Sequence, residues 1–116
     1  MNKYPWGGQA TLNDATVVEI KAARSATAVI YVTKITISII THAAKFVAVQ
    51  DDSGTPVVIA KHTDAAAASA DDVLPSVITW DFGWRGIKLA AGKNLDCVSE
   101  ASGVAGIVYA EGYEIA

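Results

Sequence analysis

The sequence predicts an all-β domain: an antiparallel β-sandwich of about eight strands, with a jelly-roll or immunoglobulin-like strand order. Short stretches rich in Val, Ile, Tyr and Thr follow one another along the 116 residues, and turn-forming residues separate them at regular spacing. No segment shows the apolar period of a helix longer than one or two turns. Many short strands without helices are typical of sandwiches and jelly rolls.

The beginning of the chain predicts an extended N-terminal arm over residues 1–14, followed by the sandwich domain over residues 15–116. Proline and glycine in the first segment oppose regular structure. Tyr4 and Trp6 are large aromatic residues that are unfavourable to leave in water. They could pack back on their own domain, but we favour docking on a neighbouring subunit.

The longest strand signal runs over residues 26–41. Its second half has isoleucine at alternate odd positions, whereas Ile30 and Val32 of the first half stand at even positions. Successive side chains of a strand point to opposite faces, so the two halves would bury different faces. A bulge or break near Thr33 would restore one buried face.

Residues 44–50 and 55–62 predict a hairpin around Asp51-Asp52-Ser53-Gly54, with a positive φ at the glycine. Both faces of this hairpin carry apolar groups, with Val47 and Val49 sharing one of them. A sandwich needs only one apolar face per sheet, so we expect the second face to contact a partner.

Residues 63–75 predict a polar, alanine-rich connection, and residues 76–82 the next strand. Ile78, Trp80 and Phe82 share one face of that strand, so we expect them to form the heaviest part of the core.

The dipeptide Trp84-Arg85 lies between Gly83 and Gly86, which predicts a bend with a protruding tip. An exposed Trp beside an Arg is a plausible anchor for a protein contact. Two alternatives stay open at this point: Trp84 could stack on a sugar ring, or it could fold down and cap its own sandwich.

Composition restricts the partners. Hydrophobic residues make up 52% of the chain and charged residues 18%, against about 25% in typical domains. This shortfall favours coverage of some outer surface by other copies of the chain. Net charge is −3, and the nine Lys and Arg residues are scattered, which argues against nucleic-acid and anionic-lipid partners. No apolar stretch approaches the roughly 20 residues that span a bilayer.

No pattern predicts an active site, a cofactor or a metal, so we expect a protein that is not an enzyme. Cys97 alternates in step with Leu95, which indicates a buried apolar side chain. His42 and His62 would need a third ligand such as Asp64 to hold a metal, and we favour solvated residues at strand ends. The paired aspartates are explained by turn formation and solubility rather than by calcium binding.

The C-terminal third resembles the closing hairpins of small virion proteins of tailed bacteriophages, among them capsid decoration (cement) proteins and the heads of head or tail fibres. The resemblance lies in Gly86-Ile87-Lys88-Leu89-Ala90-Ala91-Gly92-Lys93-Asn94-Leu95, in Ser102-Gly103 and in Ile107-Val108-Tyr109-Ala110-Glu111-Gly112-Tyr113-Glu114, with the earlier turn Asp52-Ser53-Gly54 also fitting. These are turn-and-strand patterns, and they cover about residues 15–116.

The resemblance implies a sandwich that forms a homotrimer on the capsid surface of a virion. Such a protein binds the major capsid protein and stabilises contacts between coat subunits, without catalytic residues. The alternatives are a receptor- or carbohydrate-binding head of a phage tail or fibre, and an adhesion module of non-viral origin. The candidate partner-binding residues are Tyr4, Trp6, Val47, Val49, Trp84 and Arg85.

Overall fold

A computed structural model describes residues 3–66, 77–100 and 104–116. Most of the connection expected over residues 63–75 and the turn at Ser102-Gly103 lie outside these ranges. The described residues form nine strands in two antiparallel sheets, which confirms the all-β sandwich. Within them, no helix is long and apolar enough to cross a membrane. The strands are β1 (Lys3–Leu12), β2 (Val18–Lys21), β3 (Val29–Thr41), β4 (Phe46–Asp51), β5 (Val58–Thr63), β6 (Val77–Asp81), β7 (Ile87–Lys88), β8 (Leu95–Ser99) and β9 (Ala105–Ile115).

The strand order distinguishes between the two sandwich types. The larger sheet has the order β1-β9-β3-β6, with the two-residue β7 also paired to β3, and the smaller sheet has the order β2-β8-β4-β5. With β7 set aside, β1 pairs with β9, β2 with β8, β3 with β6 and β4 with β5. One long antiparallel hairpin rolled into two sheets gives this pairing, which is the jelly roll.

The central strand of the larger sheet, β3, contains the expected bulge. Its register against β9 shifts between Val32 and Lys34, which leaves Thr33 as the extra residue. Ile30 and Val32 before the shift and Ile35 after it are therefore all fully buried. These apolar residues of β3 switch from even to odd positions at the bulge, and they therefore all lie on the same inner face of the strand.

The core lies between the sheets and is dominated by the central strands. Ile78, Trp80 and Phe82 pack against it but are only half-buried. The expectation that they form its heaviest part is wrong, because β6 lies at the edge of the larger sheet. Large fully buried side chains include Leu12, Ile30, Ile35, Ile37, Val49, Leu95, Val104 and Val108.

The expected N-terminal arm is a strand of the sandwich. β1 pairs with β9 from Lys3 opposite Ile115 to Leu12 opposite Gly106. β1 is the edge strand of its sheet. An edge strand tolerates a proline such as Pro5 at a position whose N–H would point to solvent and not to the neighbouring strand. Gly8 is needed for close packing, since a Cβ there would lie 2.5 Å from the Ile20 carbonyl of β2. The residues that oppose regular structure in general are thus compatible with this particular strand.

The β4–β5 hairpin confirms the predicted pairing but not the predicted turn. Gly54 does not have a positive φ. Instead, the buried Asp51 carboxylate accepts hydrogen bonds from the backbone N–H groups of Ser53 (3.1 Å) and Val57 (2.9 Å). Burial alone would raise the pKa of Asp51, but the bonds from Val57 and Ser53 outweigh it and lower that pKa.

Candidate interaction surfaces

The outer face of the larger sheet divides into two halves of different chemistry. In one half, Thr36 of β3 lies in register between Tyr109 and Thr79, and the next outward row is uncharged as well. Ile40 and Val77 at this end are 67% and 61% exposed. We call this region the uncharged half-face, and it consists of Gln9, Thr11, Thr36, Ser38, Ile40, Val77, Thr79, Ile107 and Tyr109.

The other half combines charge with aromatic rings. Lys34 of β3 lies in register between Glu111 of β9 and Asp81 of β6. One row further along, the rings of Tyr31 and Tyr113 stack with centroids 4.7 Å apart and an interplanar angle of 12°. This half therefore presents a fixed aromatic pair beside a row of alternating charges.

The Trp84-Arg85 turn projects beside that charged half. Gly83 and Gly86 have φ values of 74° and 70°, which side chains rarely adopt, and the Gly86 N–H donates to the Gly83 carbonyl. The Tyr113 hydroxyl donates to the Arg85 carbonyl at 3.0 Å and holds the turn against the sheet. Trp84 is 75% exposed, so the alternative that it caps its own sandwich is wrong. The Arg85 guanidinium lies 5.2 Å from the Trp84 ring centroid.

An open cleft of about 620 Å³ lies between this turn and the sheet. Its lining combines aromatic, apolar and charged side chains, among them Pro5, Lys34, Asp81, Trp84, Glu111 and Tyr113. Trp84 was among the residues predicted from the sequence. The charged lining residues were not, because Lys34, Asp81 and Glu111 belong to three different strands and only the pairing register brings them together.

The charges of the cleft do not neutralise one another by direct contact. Among the described residues, Lys34 has no ion pair and no hydrogen bond through its ammonium group. Asp81 accepts the Gly83 N–H at 2.9 Å, and the Tyr109 hydroxyl donates to Glu111 at 3.4 Å. The ammonium and the free carboxylate oxygens are therefore available to a ligand.

Tyr4 and Trp6 contact their own domain, contrary to the preference for docking on a neighbour. They stand at the inward positions of β1, opposite Glu114 and Gly112. The Arg24 guanidinium lies 3.8 Å from the Tyr4 ring centroid. Trp6 packs against the core, where its indole Nε1 is buried without a hydrogen-bond partner. Both residues therefore belong to the interior side of the sandwich.

Val47 and Val49 are also interior residues, so their assignment to a partner surface is wrong. They are 3% and 0% exposed and belong to the main core cluster. The alternation along β4 does not show which of two apolar faces is inside. Phe46 and Ala48 stand on the outer face, where the Lys61 ammonium lies 4.4 Å from the Phe46 ring centroid.

The two histidines meet at a buried carboxylate and are not solvated strand ends. His42 Nδ1 lies 3.0 Å from Asp64 Oδ2, and His62 Nε2 lies 3.4 Å from Asp64 Oδ1. The Ala43 N–H donates to the same carboxylate at 3.1 Å. Burial alone would raise the pKa of Asp64, but these hydrogen bonds, the strongest from His42, and one from Ala65 together lower it.

The histidine nitrogens contact the carboxylate directly, at hydrogen-bond distance. No group of three His, Cys, Asp or Glu side chains within the described ranges is arranged to hold a metal ion. Cys97 is buried in the core, as expected. Burial, reinforced by the charge of Asp96, raises the pKa of its thiol to about 12.

Sequence comparison does not point to either surface. Comparison with protein-family models and with curated proteins found no match. The uncharged half-face and the cleft lie next to each other on the same sheet, and they are the two candidate interaction surfaces of the domain.

Proposed function

We propose that this chain is a structural virion protein, a capsid decoration protein. In this proposal it binds the outside of a phage head as a homotrimer. It contacts the major capsid protein through the uncharged half-face and thereby stabilises the contacts between coat subunits. The resemblance of the C-terminal hairpins to small virion proteins supports this class, and the uncharged half-face is the observation that carries the proposal.

The half-face suits a protein contact because its burial desolvates no charge. Removing an unpaired charge from water is far more costly than removing a hydroxyl that finds a new hydrogen-bond partner. Thr36 and Thr79 carry such hydroxyl groups, 3.3 Å apart on neighbouring strands. Ile40 and Val77 add exposed apolar surface at the border. A coat subunit with a flat apolar and hydroxyl-bearing patch would complement this surface.

The size of the half-face favours several copies acting together. Strands about 4.8 Å apart and residues about 3.3 Å apart along a strand give this region an area of roughly 300 Å². One partner contributes about 800 Å² to a typical stable interface. A single copy would therefore bind a capsid weakly, whereas a trimer that engages three sites gains effective concentration.

Co-sedimentation with purified phage heads tests the attachment surface. We expect Ile40→Arg and Val77→Arg each to weaken binding at least about tenfold, since each places a charge in the contact. Both positions are exposed, so the variants should keep the melting temperature of the parent. The matched control is Val58→Arg, an exposed valine of β5 in the smaller sheet. Equal binding of all three variants and the parent would contradict the proposal.

Light scattering tests the oligomeric state. The purified protein should show the mass of three 12.1 kDa chains at micromolar concentration. A strict monomer under these conditions would remove the trimer from the proposal, while the co-sedimentation result would still decide the attachment surface.

A further inference from the structure

We propose that the cleft between the Trp84-Arg85 turn and the larger sheet binds a neutral sugar, with a pyranose ring stacked on the Trp84 indole. This inference goes beyond the proposed attachment to a capsid. It depends on the cleft alone, which lies in the charged half of the sheet and not in the uncharged half-face.

Trp84 is carried by a rigid turn. A large aromatic ring that is 75% exposed is unfavourable in water unless it has a partner. Here the ring stands on a turn fixed by two glycines of positive φ and by the Tyr113 hydroxyl, which donates to the Arg85 carbonyl. The backbone that carries the ring is thus fixed before any ligand arrives, which reduces the entropy lost on binding.

The space around the indole is largely open. The Arg85 guanidinium covers the ring at 5.2 Å, and the high exposure of Trp84 leaves the remaining ring surface open. The cleft volume of about 620 Å³ is within the range of small-molecule sites, about 300–1,000 Å³. The apolar C–H face of a pyranose matches an open aromatic face of this kind.

Charges alternate on the floor of the cleft. Asp81, Lys34 and Glu111 lie side by side on three neighbouring strands, which are spaced by about 4.8 Å. Carboxylates only accept hydrogen bonds and an ammonium only donates them. A ligand that contacts all three must both donate and accept at close intervals, which is what the hydroxyl groups of a sugar do.

The same row disfavours ligands of other chemistry. A phosphate that paired with the Lys34 ammonium would also lie beside Asp81 and Glu111, whose carboxylates flank Lys34 and would repel it. A purely apolar ligand would leave the three charges without partners after losing their water. A protein side chain could insert beside Trp84, and this alternative is an outcome of the test below.

The test is binding of the full chain to an array of neutral and acidic oligosaccharides, followed by titration with the best neutral sugar. We expect Trp84→Ala and Lys34→Gln each to weaken binding at least tenfold. The matched control is Val58→Ala, an exposed position on the other sheet, which should bind as the parent does. Trp84 is exposed, so Trp84→Ala should melt at the parent temperature.

Tryptophan fluorescence gives a second readout. Trp84 is the exposed indole, whereas Trp6 and Trp80 are half-buried. A bound sugar should therefore shift the emission to shorter wavelength and reduce quenching by acrylamide. Both changes should be absent in Trp84→Ala.

Three results would overturn the inference. The first is the absence of binding to any sugar of the array at millimolar concentration. The second is sugar binding that Trp84→Ala leaves unchanged, which would place the site elsewhere. The third is a loss of binding to phage heads in Trp84→Ala without any sugar binding, which would make the cleft a protein contact.

Discussion

Asp64 is a single carboxylate that joins the ends of two strands. It lies between His42 and His62 and accepts the Ala43 N–H, so its charge is compensated by donors from three directions. Hydrogen bonds to a buried charged group contribute more to stability than neutral ones. The folding of this end of the sandwich should therefore depend on the ionised form of Asp64.

We expect Asp64→Asn to lower the free energy of unfolding by about 1.5–3 kcal/mol at neutral pH. Because the pKa of Asp64 is lowered on folding, its contribution is complete above the ordinary value of 3.8 and is lost as the pH falls through the lower folded value. Urea unfolding of the parent and the variant should thus differ most at neutral pH and converge in acid. The matched control, Glu19→Gln at an exposed position, should stay within about 0.5 kcal/mol. If the difference in unfolding free energy between the parent and Asp64→Asn grew in acid, the lowered pKa of Asp64 would be contradicted.

Cys97 should be unreactive as long as the domain is folded. Its thiol is buried and has a pKa of about 12, so very little thiolate is present at neutral pH. We expect an aromatic disulfide reagent to label the native protein at the rate of global unfolding, and to label one thiol per chain at once in concentrated guanidinium. Rapid labelling in native buffer would show that the core is more open than the structure indicates.

At the scale of the element, two turns that each contain a glycine differ in whether they need it. Gly54 has no positive φ, and a Cβ there would meet no atom within 4 Å. Gly92 has a φ of 75°, and a Cβ there would lie 2.6 Å from the Ala26 carbonyl oxygen. The glycine is therefore dispensable in the first turn and required in the second.

We expect Gly54→Ala to change stability by less than about 0.5 kcal/mol or to raise it by up to about 1 kcal/mol, through the smaller entropy of the unfolded chain. Gly92→Ala should destabilise by more than about 1–2 kcal/mol, which is the left-handed backbone penalty before the steric contact is added. Urea unfolding of both variants provides the comparison. A larger effect at Gly54 would mean that the Asp51 hydrogen bonds do not fix the first turn.

The strands of the core could be predicted from the sequence because alternation is a local signal. The switch of the apolar residues from even to odd positions locates the bulge at Thr33. The turn residues locate the β4–β5 hairpin. β1 was not recognised as a strand. Its proline and glycines are unfavourable in an average strand, and only the position at the sheet edge and the approach of Ile20 to Gly8 explain them.

The candidate sites could be predicted only in part, because they depend on contacts between distant residues. The exposed turn at Trp84 is local and was recognised. The row of Lys34, Asp81 and Glu111 depends on the pairing of three strands, which no local pattern specifies. The assignment of Val47 and Val49 failed for a related reason, since alternation does not show which face of a strand is inside.

At the scale of the whole molecule, the pairing of β1 with β9 makes the first residues part of the folded domain. Leu12 and Ala10 are buried in the core, and Trp6 packs against it. Full burial of one large apolar side chain contributes about 1.5–3 kcal/mol. The burial contributed by β1 is thus a substantial fraction of the roughly 5–15 kcal/mol that stabilise a typical domain.

We therefore expect deletion of residues 1–12 to abolish the cooperative thermal transition or to lower its midpoint strongly, and to promote aggregation through the uncovered edge of β9. Differential scanning calorimetry and size-exclusion chromatography provide the measurements. As a control, Gln9→Ala changes an exposed side chain of the same strand and should melt close to the parent. If the shortened chain still melted cooperatively at the parent temperature, residues 3–12 would be an appendage after all.

The same pairing sets an order of events during synthesis. Residues 3–12 leave the ribosome well before their partner strand, which follows roughly a hundred residues later. At about 5–20 residues per second, β1 waits about 5–20 seconds for β9. A nascent chain halted before β9 has emerged should therefore be sensitive to protease along its whole length. The domain is expected to acquire resistance late and in one step, when the final strand enters between the first and the third.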